Sequence, residues 1–156
     1  MSKQPGEKIP DITLFDTDKK KVSLVDLRGK NVVILFFPFA FSSTCTKELC
    51  EMQENYTAYE KMNAVILGIS VDSLYTNAEF RKKYNLSFPV LSDFNKTVSP
   101  LYDSLQEDWN FGYHGVSKRS SFVIDKEGIV KFIEILPKPG DYPDMNAIRK
   151  TIASLS

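Results

Sequence analysis

The strongest pattern in the chain is the continuous apolar run Asn31-Val-Val-Ile-Leu-Phe-Phe37, β-branched and aromatic and too short for a typical helix. Such a run predicts a strand covered on both faces. Before it, residues 12–15 and 22–24 flank a polar stretch and predict an N-terminal β-hairpin. From 45 to 63, Cys45, Leu49, Met52, Tyr56 and Tyr59 recur at steps of four and three, the spacing of one helix face. Residues 64–71 predict another apolar strand, 74–84 a helix, 88–91 a short strand and 96–102 a short helix interrupted by Pro100. The segment 103–118, with Trp109, Phe111, Tyr113 and His114, shows no clear period and reads as the longest loop. Two last strands, 121–125 and 129–135, flank the turn signal Lys126-Glu127-Gly128. A C-terminal helix over about 142–155 carries Met145, Ile148, Ile152 and Leu155 on one stripe.

The order β-β-β-α-β-α-β-(α)-β-β-α describes an α/β chain with a central mixed β-sheet flanked by helices. In open sheets of this kind, ligand sites favour loops at the carboxyl ends of central strands, which directs attention to the segment after Phe37. With 156 residues and no visible repeat or linker, the chain reads as a single domain over 1–156. Twenty basic residues balance twenty acidic ones, so no net field favours nucleic acid or an anionic membrane. The longest apolar run, 32–41, contains Pro38 and falls short of the ~18 residues of a membrane span. The first residues offer no apolar stretch resembling a signal peptide. The expectation is a soluble cytoplasmic protein.

Two cysteines and one histidine narrow the chemistry. They are too few for a closed zinc site or a disulfide-stapled fold. Ser42, Ser43 and Thr44 precede Cys45 where helix N-caps are expected, which would put Cys45 in the first helical turn. Exposed N–H groups and the positive end of the helix dipole favour an anion there. A thiol of pKa ~8.5 is only about 3% thiolate at pH 7, whereas one near 6 would be about 90%. The sequence thus offers a place for an activated thiolate, with a buried structural cysteine as the alternative. Residues five apart in a regular helix have Cα atoms ~8.7 Å apart, beyond the ~7 Å that a disulfide tolerates. Cys45 and Cys50 could therefore pair only if the first turn or two unwound. That arrangement suits a redox cycle better than a permanent staple. Positions 42 and 48 hold Ser42 and Glu48, which removes a Cys-x-x-Cys motif. Glu51 stands where a phosphatase-type loop needs arginine.

Taken together, these segments resemble the peroxiredoxins. Pro38, Ser42 and Cys45 match Pro-x-x-x-Thr/Ser-x-x-Cys. Cys45-Thr-Lys-Glu-Leu-Cys50 is similar to the Cys-Thr-x-Glu-x-Cys segment of the bacterioferritin-comigratory (Q-type) branch. The opening Pro5-Gly6, Pro10, Ile12, the segment Leu27-Arg-Gly-Lys30 and Arg119-Ser-Ser-Phe-Val-Ile-Asp125 extend the likeness over nearly the whole chain. Ser43-Thr44 replaces the Pro-Gly usual in that branch, and Phe39-Ala40-Phe41 is more similar to the alkyl hydroperoxide reductase E-like branch.

The resemblance implies a thioredoxin-like fold and a thiol-dependent peroxidase reducing hydrogen peroxide and organic hydroperoxides. By it, Cys45 is the peroxidatic nucleophile, Cys50 the resolving thiol, Ser42 positions the peroxide oxygens and Pro38 shields the site. Arg119 would stabilise charge, and Glu48 would orient active-site arginine. No cofactor or metal is implied; the expected partners are a hydroperoxide and a thioredoxin- or glutaredoxin-like reductant, with the chain a monomer or homodimer. A thioredoxin-fold redox sensor or binding module is the competing reading, and a disulfide oxidoreductase a weaker third.

Overall fold

The computed structural model describes residues 4–138 and 140–155. In chain order its elements are β1 (Thr13–Phe15), β2 (Lys21–Ser23), β3 (Asn31–Phe36), α1 (Ser43–Glu54), α2 (Tyr56–Lys61), β4 (Ala64–Ser70), α3 (Leu74–Lys83), β5 (Val90–Ser92), β6 (Leu105–Trp109), β7 (Tyr113–Ser117), β8 (Ser120–Ile124), β9 (Val130–Ile135) and α4 (Met145–Leu155). Seven strands form one mixed sheet in the order β2-β1-β5-β4-β3-β8-β9. β3, β4 and β5 run parallel, while β8 pairs antiparallel with β3, and β9 with β8. The sequence-predicted mixed sheet and N-terminal hairpin are both present. Among the described residues, no helix is long and apolar enough to cross a membrane.

β3 is buried along its whole length, as its unbroken apolar run predicts. Successive side chains point to opposite faces, so its residues divide between two cores. Val32, Ile34 and Phe36 join Ile12, Tyr102 and Phe122 on one face. Val33, Leu35 and Phe37 join the α1 stripe, Cys45, Leu49 and Met52, together with Ile148 and Ile152 of α4, on the other. The cysteine thus belongs to the second core.

Two expectations need correction. The helix predicted over 45–63 is two helices, broken at Asn55, whose side-chain Nδ2 donates to the Glu51 carbonyl at 3.0 Å. The apolar stripe continues through the break, which is why periodicity alone does not show it. The segment 103–118 is a hairpin, β6 paired with β7, rather than a loop. Most of its side chains are partly or wholly exposed, so it lacks the one-sided alternation that marks a strand packed on a core. Its tip turns through Phe111 and Gly112, both at positive φ.

Phe122 is fully buried, with its ring 5.9 Å from Phe36 and 5.2 Å from Tyr102, both edge-on. Replacing it by alanine should cost about 3–5 kcal/mol through lost burial and the cavity left behind. Urea unfolding should show this as a lower midpoint at unchanged slope.

Candidate active site

The register of two strands brings the site together. Phe36, the last residue of β3, pairs with Ser120, the first of β8. Arg119 therefore lies beside the chain as it leaves the central strand, its carbonyl held by the Leu136 N–H at 2.9 Å. The chain from Pro38 to Ser42 turns into α1, which starts at Ser43, so Cys45 falls in its first turn as expected. Cys45 and Glu48, three apart, share a helix face. Arg119 Nη1 reaches both, donating to Cys45 Sγ at 3.3 Å and to Glu48 Oε1 at 2.7 Å. All three are buried, Cys45 and Glu48 at 0% exposure and Arg119 at 3%. Arg119 and Glu48 thus form an ion pair buried in the protein.

Ser42 occupies the N-cap position, but its side chain makes no capping hydrogen bond. Its hydroxyl donates instead to the Phe39 carbonyl at 3.0 Å. Pro38 is buried and, with Arg119 and Trp109, lines a small cavity of about 20 Å³. Cys50 lies in the same helix, half-buried, and both cysteines are free thiols. The structure gathers Pro38, Ser42, Cys45, Glu48 and Arg119, and leaves Cys50 outside the enclosed cluster. His114 is exposed on the hairpin with Nδ1 3.1 Å from Asp108 Oδ1.

The electrostatics differ from the sequence expectation of a readily ionised thiol. Burial pushes the Cys45 thiol up from its ordinary value. The Arg119 guanidinium, the Ser42 hydroxyl and a backbone hydrogen bond with Phe39 pull against that rise. Desolvation wins because the sulfur has no contact with solvent, and the one guanidinium beside it also serves Glu48. Burial likewise raises the Glu48 carboxyl to about 7, against the pull of Arg119. Its second oxygen, Oε2, has no hydrogen-bond partner among the described residues, which leaves the ionised form poorly satisfied. Cys50 is also pushed up, first by burial and then by Glu54 one turn on.

The approach to the site is strained and aromatic. Phe41 adopts φ 72°, a left-handed conformation costing a bulky residue roughly 1–2 kcal/mol. Its ring packs edge-on against Phe80 at 5.2 Å. One residue earlier, the Ala40 N–H donates to Asp72 Oδ2 at 2.7 Å. Phe39 sits edge-on to Trp109 and Tyr113, at 5.3 and 5.4 Å. Phe39, Ala40, Ser42, Asp72, Trp109 and Tyr113 line an open groove of about 750 Å³.

Sequence reasoning missed Asp72 and Tyr142. Asp72 falls just before the helix-start signal at Ser73 and reads there as an ordinary turn residue. The Tyr142 hydroxyl donates to Glu51 Oε1 at 2.6 Å, tying the chain before α4 to the outer face of α1. A lone tyrosine in a proline-containing segment carries no signal for that contact.

The sheet order and the thiol at the start of α1 place the molecule in the thioredoxin-like class. The model of the AhpC/TSA family matches residues 5–133. The putative peroxiredoxin bcp of Coxiella burnetii is 38% identical over 135 residues, covering 85% of this chain and 89% of its own. Alkyl hydroperoxide reductase E of Mycobacterium bovis is 33% identical over 154 residues, 97% of each chain. The crystal structure of peroxidoxin BcpB from Mycobacterium tuberculosis has a TM-score of 0.83 at 27% identity, covering 97% of this chain and 96% of that one. The chain belongs to the AhpC/TSA family and is a peroxiredoxin, a thiol-dependent peroxidase, with relatives in both branches that the sequence resembles.

The raised Glu48 carboxyl fixes a sign for stability. Between its ordinary 4.5 and about 7, the folded protein holds a proton that the unfolded chain has released. The contribution of Glu48 is therefore fully present below pH 4.5 and is lost as pH rises through 7. Glu48→Gln should flatten this part of the stability profile, measured by urea unfolding across that pH range.

Proposed function

We propose that this peroxiredoxin reduces hydroperoxides through Cys45, with Cys50 as the resolving thiol. The observation that carries the reading is the 3.3 Å contact of the buried Arg119 guanidinium with Cys45 Sγ in the first turn of α1. Arginine stays charged at any working pH, and a buried cation needs an anion beside it. Glu48 and Cys45 compete for that role, so a proton on Glu48 leaves Arg119 to support a Cys45 thiolate.

In the first step the Cys45 thiolate attacks one peroxide oxygen. The O–O bond breaks, an S–O bond forms, and the leaving oxygen takes a proton to become water or an alcohol. Arg119 and the uncapped N–H groups at the start of α1 face the charge that develops. The Ser42 hydroxyl has one proton, and turning it from the Phe39 carbonyl offers it to the peroxide. Pro38 and the aromatic groups keep water from the sulfur. Because the sulfur is enclosed, peroxide entry requires the 38–42 turn or the first turn of α1 to open. The aromatic groove beside Ser42 has room for an organic substituent, which supports organic hydroperoxides as substrates beside hydrogen peroxide.

In the second step the first turns of α1 unwind, and the Cys50 sulfur displaces hydroxide from the Cys45 sulfenic acid, releasing water and forming a disulfide. A thioredoxin- or glutaredoxin-type dithiol then restores both thiols and is itself oxidised to a disulfide. A cytoplasmic setting, where dithiol reductants keep thiols reduced, suits this cycle.

Cys45→Ser should abolish peroxide turnover. Cys50→Ser should still consume one equivalent of peroxide but stop at the sulfenic acid, without the intramolecular disulfide. Mass spectrometry after one equivalent of peroxide distinguishes these products. Undiminished single-turnover oxidation in Cys45→Ser would remove Cys45 as the nucleophile.

A further inference from the structure

We infer that Asp72 is a positioning residue for peroxide reduction, setting the turn that carries Ser42 into Cys45; this rests on the Cys45 reading above. The turn 38–42 has little regular structure to fix it. Phe37 N–H bonds to the Ile69 carbonyl as the parallel pairing ends, and α1 begins only at Ser43. Between those points, Phe41 holds a left-handed backbone that its own side chain disfavours. Such a conformation persists only where its surroundings over-determine it. The Ser42 N–H and hydroxyl close the turn on the Phe39 carbonyl at 3.4 and 3.0 Å, and two attachments flanking Phe41 fix it to the rest of the fold. After the strained residue's backbone, its ring is seated on Phe80; before it, the Ala40 N–H is held by Asp72 at 2.7 Å.

Asp72 is itself anchored by three hydrogen bonds to two serines. Its Oδ2 also accepts from the Ser70 hydroxyl at 2.8 Å. Its backbone N–H donates to Ser70 Oγ at 3.3 Å, and its carbonyl accepts from Ser92 Oγ at 2.6 Å. Ser70 Oγ lies in turn 3.2 Å from Oδ1 of the fully buried Asn77. Asp72 therefore joins the segments leaving β3, β4 and β5, the three parallel strands. The 38–42 turn hangs from that junction. Among the described residues Asp72 has no hydrogen bond or ion pair with Cys45 or Glu48; it acts through the Ala40 amide on where Ser42 and the start of α1 lie.

A group that aims a peroxide oxygen affects peroxide attack more than attack on a reagent needing no such alignment. The test uses full-length protein with Cys50→Ser throughout, leaving one thiol. Single-turnover oxidation of Cys45 by hydrogen peroxide is compared with its alkylation by iodoacetamide. Asp72→Ala should slow oxidation about ten- to a hundred-fold, the scale of a misplacement near 1 Å, with alkylation unchanged or faster. Asp72→Asn, which keeps an acceptor oxygen, should restore most of the rate. With Ser42→Ala added, the combined loss should be smaller than the product of the separate losses, because both act on one turn.

Undiminished oxidation in Asp72→Ala, equal loss in both reactions, or multiplying losses with Ser42→Ala would each overturn the inference. So would failure of both Asp72 variants to fold, which would make Asp72 a support of the whole sheet. If the Cys50→Ser parent itself shows no Cys45 oxidation, the peroxidase reading of Cys45 falls and takes this inference with it. Oxidation in the parent that Asp72→Ala leaves intact overturns the inference alone.

Discussion

The arrangement depends on one positive charge held out of water. Arg119 is 3% exposed and its Nη1 faces two acids, a thiol and a carboxyl, on the same face of one helix. Isolated, a buried guanidinium would be prohibitively costly; one anion neutralises it, and a second would be an uncompensated charge. Cys45 and Glu48 therefore cannot be treated as independent acids. Their raised proton affinities express a shared constraint: low dielectric around both and a single cation between them. Lysine would not substitute, because the planar guanidinium presents several fixed donors while an ammonium is a compact, strongly hydrated point charge.

Opposing demands meet in α1. Cys45, Leu49 and Met52 fasten one face of the helix into a core, while Cys50 lies half-buried away from the enclosed cluster. Keeping the thiol desolvated favours an intact helix; joining the two sulfurs requires its first turns to open. The break at Asn55 makes α1 a 12-residue piece separate from α2, so local opening need not propagate into the second helix. The Tyr142–Glu51 hydrogen bond ties the middle of α1 to the chain preceding α4. The readily opened part is consequently the N-terminal turns, where Ser42 gives no side-chain cap.

Much of this was legible in the sequence because core-facing patterns are written in residue type. The apolar run of β3, the stripe of α1 and the stripe of α4 each follow from burial, and each lies where periodicity places it. The cluster Pro38, Ser42, Cys45, Glu48 and Arg119 was legible through resemblance, since no local spacing announces that residue 119 meets residue 45. The hairpin β6–β7 was hidden because an exposed two-stranded element has no core face to imprint an alternation. The break at Asn55 was hidden because the stripe runs through it. Asp72 was hidden for another reason: a side chain receiving a backbone N–H has a partner that could be any residue, so the sequence near Ala40 holds no trace of it. For Cys45, helix position suggests an activating field but says nothing of the depth of burial that opposes it.

Local rules are broken over a short stretch, and the breaks have a common physical sense. Within 38–48 lie a left-handed aromatic residue, an N-cap serine that does not cap, a fully enclosed thiol and a carboxyl holding its proton to about 7. Each is unfavourable in isolation, and such conflicts persist only where the surrounding fold supplies compensation. Here the compensation comes from the apolar cores on the two faces of the sheet, neither of which requires residues 38–42 to be relaxed. The uncapped N–H groups, the serine proton on a replaceable carbonyl and the shared guanidinium are hydrogen-bonding capacity that the resting fold leaves available. In the proposed reaction, the breaking O–O bond uses that capacity as charge moves onto the departing oxygen. A fully relaxed and capped version of the same turn would be more stable and would have less to offer the transition state.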